Sequence, residues 1–387
     1  MTARRAIGVV TVSRSDYGHL TPVLEEMRGA PDLDFGLYVA GMHLEPDFGF
    51  TAKEVEADGW PRWACVPMDE TDDSPGGVAR STAKGVEGFA RAFAARRPDL
   101  VLVLGDRFEM LAAATAALPF AIPLAHLHGG EVTEGAIDEQ MRHAITKLSH
   151  VHLASAELHA RRIAQMGEEP WRIHVTGAPG LDRLRKQPAM SRPDVARELG
   201  LPERGPWLLV TFHPATLDAE DPGVQIDELL AALQSAPGAL VMTYPNSDTA
   251  GRVIAERLER FAAGRAGCRL VKSLGERLYL SLLAHADVMM GNSSSGLIEA
   301  PSFGLPVLNI GRRQHGRLRG ENVVDVEPRR AAIAAGLARA LDPAFRARLA
   351  GAPNPYGDGR AAPRVVRVLR EVALDRRLVQ KRFVDGR

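Results

Sequence analysis

The chain has 387 residues, and its 48 lysines and arginines balance its 48 aspartates and glutamates, so the formal net charge is zero. That length exceeds what one hydrophobic core usually serves, which predicts two domains. A neutral total argues against a nucleic-acid or membrane-surface binder and confines any anion site to a local cluster.

At the N-terminus the apolar stretch from Ala6 to Val12 is too short for a signal-peptide core, and no later stretch approaches transmembrane length. The expectation is a soluble cytoplasmic protein. Ile7-Gly8-Val9-Val10-Thr11-Val12 reads as a strand buried on both faces, and an amphipathic helix follows to about Arg28. Between them Ser13-Arg14-Ser15-Asp16-Tyr17-Gly18 occupies the carboxyl end of the strand, where open α/β sheets bind ligands. Arg14 there suits a base or phosphate with Asp16 orienting it; a surface Arg–Asp pair is the alternative. Leu33 to Ala40 is a second strand, and His43 in the loop after it reads as structural.

Residues 68–77 are acidic and rich in helix breakers, which predicts a mobile loop, either a lid or simply solvated. A helical pattern runs from about Val78 to Arg97, and Asp99 to Leu104 is the next buried strand, ending in Gly105-Asp106-Arg107. Asp106 is either a helix N-cap or an acid/base group at the same sheet edge as Arg14. The stretch Ile122 to Asp138 gathers His126, His128, Glu131, Glu134 and Asp138 around a Gly-Gly turn. Two histidines on one strand face admit a metal, but no third nitrogen or sulfur ligand follows at short spacing, and general acid/base work on a small substrate fits better. Asp138 and Arg142 are spaced for an ordinary ion pair on a helix surface.

Strand and helix patterns continue through Thr176, and the stretch from Gln187-Pro188 to Arg192-Pro193 reads as a connector before a second series begins at Trp207. Its strand Trp207 to Phe212 ends in His213-Pro214. Later, Asp287 to Met290 leads into Gly291-Asn292-Ser293-Ser294-Ser295, a short helix and another strand at Val307. A turn that opens a helix offers unpaired N–H groups, a positive dipole end and three hydroxyls, all suited to phosphate. Glu299, one turn beyond Ser295, is placed to accept from a ribose diol. Arg312, Arg313, Arg317 and Arg319, with His315, leave the sheet beside that turn and suit a diphosphate clamp, although not all four can touch a ligand. Two βα series predict two doubly wound Rossmann-like α/β domains facing a cleft, over residues 1–178 and 179–362, with a helical segment 363–387 packing back on the first. The two cysteines, Cys65 and Cys268, lack metal-ligand spacing and read as buried thiols in a reducing compartment.

Taken together, Ser13 to Gly18, Leu104-Gly105-Asp106-Arg107, His126-Leu127-His128-Gly129-Gly130-Glu131, Ile137-Asp138-Glu139 with Arg142 to Lys147, Phe212-His213-Pro214, Gly291-Asn292-Ser293-Ser294 with Glu299, and Gly311-Arg312-Arg313-Gln314 resemble the hydrolysing branch of the UDP-N-acetylglucosamine 2-epimerase family. The resemblance implies a glycosyltransferase-B-like fold, a nucleotide-sugar substrate, no metal, no redox cofactor and a homodimer. It implies loss of UDP to give a glycal, then hydration to the free 2-epimer. By position, Arg14 would contact the uracil side, Glu299 the ribose, and Ser293, Ser294, His213 and Arg313 the phosphates, with Asp106 and Asp138 as acid/base carboxylates. His128 stands where many members carry glutamate, and His19 where lysine is common. These departures suggest that His128 or Glu131 assumes the carboxylate's role and that the sugar is modified, for example a 2,4-diacetamido-6-deoxyhexose linked to UDP or GDP. A glycosyltransferase, a non-hydrolysing epimerase and a nucleotide-sugar sensor are the competing readings.

Overall fold

The computed structural model describes residues 4–69, 71–72, 74–133, 137–186, 188–214, 221–245, 251–272 and 274–385. The chain divides into two compact units, Met1–Arg183 with Tyr356–Arg387, and Leu184–Pro355.

The first unit is built on β1 (Arg5–Thr11), β2 (Leu33–Ala40), β3 (Arg62–Val66), β4 (Leu100–Leu104), β5 (Leu124–Leu127), β6 (Val151–Ala154) and β7 (Ile173–Val175). They form one sheet in the order β3-β2-β1-β4-β5-β6-β7, every pair parallel. Parallel strands need crossover helices on the sheet faces, so the central strands are mostly apolar; all five residues of β4, Leu-Val-Leu-Val-Leu, are buried. Strand order reverses between β1 and β4, and the connections after these two strands therefore diverge, leaving a crevice at their carboxyl ends.

The second unit repeats the plan with β8 (Trp207–Thr211), β9 (Ala239–Thr243), β10 (Cys268–Val271), β11 (Val288–Gly291), β12 (Val307–Ile310) and β13 (Val323–Val326). Their order is β10-β9-β8-β11-β12-β13, again parallel, with the reversal between β8 and β11.

Several expectations move. The boundary lies after Arg183 rather than after residue 178, because Asp182 is buried in the first unit and accepts the backbone N–H groups of Ala361 and Ala362 at 2.8 and 2.7 Å. The same bonds bring the chain back from Tyr356 rather than from 363, and the Ala361–Glu371 helix packs Val365, Val366 and Leu369 into one core with Leu20 and Leu24 of the Arg14–Arg28 helix. The helix expected from Val78 starts at Pro75, since Ser74 caps it by accepting from Gly77 N–H at 3.0 Å with proline at the first position. The described part of the acidic stretch is tied to that helix by Asp69–Lys84 and Asp72–Arg80 pairs, not held out as a lid. Cys268 is buried, but Cys65 is exposed, because β3 is an edge strand with one face outward. No described helix is long and apolar enough to cross a membrane.

Candidate active site

In the first unit, polar residues collect at the β1/β4 reversal. The turn after β1 is shaped by a reciprocal cap: Ser13 opens the Arg14–Arg28 helix and Asp16 reaches back to it. The Asp16 carboxylate is buried and accepts from Thr11 Oγ1 (2.7 Å), Val12 N (3.1 Å), Ser13 N and Ser13 Oγ (both 2.6 Å). It is thus spent on the turn and does not orient Arg14, which is exposed and lies 3.4 Å from Glu54 instead. His43 is buried behind this turn between Thr11 Oγ1 (3.0 Å) and Thr51 Oγ1 (2.7 Å), a structural position.

After β4 the chain turns at Gly105, whose φ of +75° L-residues rarely adopt and beyond which lies open space. His126 Nε2 lies 2.8 Å from the Gly105 carbonyl and its Nδ1 lies 3.2 Å from Thr146 Oγ1. Burial lowers this imidazole to about 3, so His126 is a neutral strut for the Asp106 turn rather than an acid or base. Asp106 itself pairs with Arg142, whose buried guanidinium also donates to Glu139 Oε2 (2.9 Å), Thr133 Oγ1 (2.8 Å) and the Glu131 carbonyl (3.1 Å). The surface pair expected between Asp138 and Arg142 does not form, because Arg142 faces inward and takes Glu139 three residues back. Asp138 sits in the first turn of the Ile137–Leu148 helix, and its acidity is weakened by burial first and by the nearby Asp106 second, with Arg107 and Arg142 opposing.

His128 follows β5 with φ +63°, so strand alternation ends before it and it does not share the role of His126. Its Nδ1 lies 2.6 Å from Glu131 Oε1, while its Nε2 is buried with no hydrogen-bond partner among the described residues. Ser155, at the end of β6, donates to the same Glu131 oxygen at 2.7 Å. The His19 ring lies 5.8 Å from that of His128, against Gly180, where a Cβ would come within 2.4 Å of His19 Nδ1. Burial, His128 and Arg183 push His19 down to about 3. A carboxylate that fixes Nδ1–H and leaves Nε2 bare is the arrangement of a general base. Among the described residues no three His, Cys, Asp or Glu side chains converge as metal ligands; Glu134 lies outside those residues.

In the second unit, Asn292 and His213 brace the β8/β11 reversal: Asn292 Oδ1 accepts His213 N–H at 2.7 Å and Asn292 Nδ2 donates to the His213 carbonyl at 2.9 Å. Gly291 precedes them with φ +125°, and a Cβ there would sit 1.9 Å from the Thr211 carbonyl oxygen. Ser293 and Ser294 follow, and the helix they open is a single turn, Ser295–Ile298, continued by a 3-10 turn at Ala300–Phe303. Its dipole is correspondingly small, so any anion here is held mainly by local N–H groups, hydroxyls and cations. Tyr279 donates to Ser295 Oγ at 2.7 Å, and burial and the neighbouring Glu299 raise its pKa. Glu299 N–H bonds the Ser295 carbonyl at 3.0 Å, so the expected one-turn spacing holds. Of the arginines after β12, Arg313 reaches the Asn292 carbonyl (3.2 Å) beside Gln314 (2.8 Å). Arg319 is turned to Asp325 and the Gln314 carbonyl, and Arg312 is exposed, so, as expected, the four arginines do not act as one.

Ser155, His159, Tyr279 and the inward role of Arg142 escaped the sequence. The sequence signal for Ser155 was its place just after a buried parallel strand.

Two doubly wound parallel sheets, each gathering its polar residues where strand order reverses, define the glycosyltransferase-B-like class. The chain belongs to the UDP-N-acetylglucosamine 2-epimerase family of enzymes, whose model matches residues 25–370. It is 36% identical to a Legionella pneumophila protein named UDP-N,N'-diacetylbacillosamine 2-epimerase (hydrolyzing), over 97% of this chain and 98% of that one. It is also 36% identical to a Campylobacter jejuni protein named GDP/UDP-N,N'-diacetylbacillosamine 2-epimerase (hydrolyzing), over 84% of this chain and 85% of that one. In fold it matches the crystal structure of UDP-GlcNAc 2-epimerase from Neisseria meningitidis bound to UDP-GlcNAc, with TM-score 0.81, 18% identity, and coverage of 95% and 100%.

Proposed function

We propose that the chain is a hydrolysing 2-epimerase that eliminates UDP from a UDP-2,4-diacetamido-6-deoxyhexose and hydrates the glycal to the free 2-epimer. The names of the two 36% identical relatives support the sugar and the hydrolytic outcome. The observation that carries the chemistry is Asp138, a carboxyl of weakened acidity beside Asp106, in the unit that also holds the Glu131–His128 dyad. The C2 proton is not next to a carbonyl, so cleavage of the bond from C1 to the diphosphate oxygen leads and the sugar gains oxocarbenium character. A base then takes the C2 proton, leaving C1=C2. Water next adds its oxygen to C1 while C2 is reprotonated from the other face, which releases a hemiacetal.

In this reading Asp106 and Asp138 serve as acid and base, and His128, held by Glu131, takes the proton that a carboxylate takes elsewhere in the family. Arg14 and Glu299 bind the nucleoside; His213, Ser293, Ser294, Ser295 and Arg313 bind the diphosphate as charge builds on it. Asn292 and Asp16 hold their turns, and His19 borders the sugar. A homodimer in the cytoplasm is the working state, in keeping with free thiols and a nucleotide-sugar substrate.

The test is proton NMR in deuterated water with UDP-N-acetylglucosamine and with the UDP-linked 2,4-diacetamido sugar. Free UDP appearing with a 2-epimer deuterated at C2, faster from the diacetamido donor, is the expected result. A product still attached to UDP, or UDP release only when a sugar acceptor is added, refutes it.

A further inference from the structure

Ser155 and His159 have no part in the roles above, yet they complete a chain of hydrogen bonds that ends on His128. Ser155 Oγ lies 2.7 Å from Glu131 Oε1 and 2.8 Å from His159 Nδ1, and His128 Nδ1 lies 2.6 Å from that same Glu131 oxygen. A serine hydroxyl has one proton. With a carboxylate oxygen on one side, the proton goes to Glu131, so the proton between Ser155 and His159 belongs to His159 Nδ1.

His159 is buried in the Glu157–Gln165 helix and burial lowers it to about 4 despite Glu131, so it is neutral at pH 7 and carries a single N–H. Its tautomer is therefore fixed. Every donor in the chain points at Glu131: His159 Nδ1–H to Ser155, Ser155 O–H to Glu131, and His128 Nδ1–H to Glu131 from the other side. The consequence falls on His128, whose Nε2 is left with a lone pair and no partner among the described residues.

We infer that Ser155 and His159 are positioning residues for the His128 base: they hold the Glu131 carboxylate aimed so that the imidazole proton stays on Nδ1 and Nε2 is kept for the reacting sugar. This rests on reading His128 as a base. The charged and titratable groups around the chain are consistent with it. Arg142 Nη1 and Arg162 Nη1 hold the carbonyls of Glu131 and Gly130 at 3.1 and 3.4 Å, the His19 ring faces His128, and Arg183 faces His19. The left-handed φ of His128, +63°, is the backbone strain this arrangement must hold in place. Cooperative polarisation makes the inner donor matter more than a surface hydroxyl would.

The experiment compares Ser155→Ala, His159→Asn and His159→Leu with wild type, and His128→Ala with all of them. Ser155→Ala strips one donor from Glu131, which then draws harder on the imidazole proton. The expected result is a fall in kcat of roughly 10-fold with KM within about 2-fold, and an acid limb of the pH profile moved up by about half a unit. His159→Asn keeps an N–H where Nδ1 was and retains the wild-type profile, whereas His159→Leu behaves like Ser155→Ala. Nitrogen-15 NMR of histidine-labelled wild-type enzyme reads the same point without any variant, with His159 protonated at Nδ1. An unchanged profile in Ser155→Ala, or His159 protonated at Nε2, overturns the inference. Wild-type turnover in His128→Ala overturns instead the reading of His128 as the base; an inactive His128→Ala beside a wild-type-like Ser155→Ala sinks only the positioning role.

Discussion

Replacing Arg142 by methionine tests the centre of the first unit's site. The guanidinium is almost fully buried and serves Asp106, Glu139, Thr133 and the Glu131 carbonyl at once. Removing one partner of a buried ion pair typically costs about 3–5 kcal/mol, because the other charge stays behind. Here the Asp106 and Glu139 side chains keep 29% and 23% exposure, so water recovers part of the loss and the lower end, about 3 kcal/mol, applies. At roughly 2–4 °C per kcal/mol for a domain of this size, calorimetry reads that as a fall of roughly 6–12 °C in the transition of the first unit. Turnover, followed by UDP release, falls further, by about 100-fold, since an acid/base carboxylate displaced by about 1 Å loses that much. Arg142→Lys separates charge from geometry. One ammonium cannot meet four acceptors fixed by a planar fork, so it restores most of the stability but little of the rate. Full kcat in Arg142→Lys, or a loss below about 1 kcal/mol in Arg142→Met, refutes the reasoning.

Asp138→Asn removes a group whose folded pKa is raised: such a carboxyl costs stability once pH exceeds its unfolded value, and the full cost is reached above its folded value. The variant is expected to be inactive yet slightly more stable than wild type in urea melts at pH 7, with the difference vanishing below about pH 4. Glu168 behaves oppositely: burial pushes it up, but hydrogen bonds from His152, Lys147 and Lys381 outweigh that and hold it at about 2. Its stabilisation is present above the ordinary value of 4.5 and is lost as pH falls toward about 2. Glu168→Gln should cost about 2–3 kcal/mol at pH 7, and its melts should converge on wild type through that window; a constant gap would refute the assignment. Gly291→Ala drives a Cβ into the Thr211 carbonyl at a φ no L-residue favours, so calorimetry should show UDP affinity weakened by about 100-fold or more while the first unit's transition is unmoved.

The strands were legible because parallel strands buried on both faces read as unbroken apolar runs, and Val101 to Leu104 or Val288 to Met290 admit little else. Equally visible were the turns, since carboxyl ends of such strands are where Asp106, His128 and Asn292 had to emerge. What sequence spacing hid was direction. Asp138 and Arg142 stand four apart on one helix, and only packing reveals that Arg142 turns inward to Asp106 and Glu139. Asp16 follows Arg14 by two, yet it is consumed by the Ser13 cap. That not all of Arg312, Arg313, Arg317 and Arg319 could reach a ligand was readable, but not that Arg319 is the one drawn off by Asp325. Pairing across elements, as between Glu131 and Ser155, has no sequence period to announce it.

The two switch points share a topology and differ in chemistry for a physical reason. At β1/β4 the side chains are ionisable, and burial and neighbours set their behaviour: burial and then Asp106 weaken the acidity of Asp138, and Arg142 pairs with Asp106. At β8/β11 the rigid parts are neutral. The Asn292 side-chain amide clasps the His213 backbone, Gly291 admits the close approach of Thr211, and Arg313 supplies a cation, anchored on the Asn292 carbonyl. A diphosphate needs fixed donors whose charge does not change with pH, whereas proton transfer at a sugar carbon needs groups whose protonation sits near the working range. One fold, used twice, meets these opposed demands by placing titratable residues at one crevice and a preformed polar turn at the other.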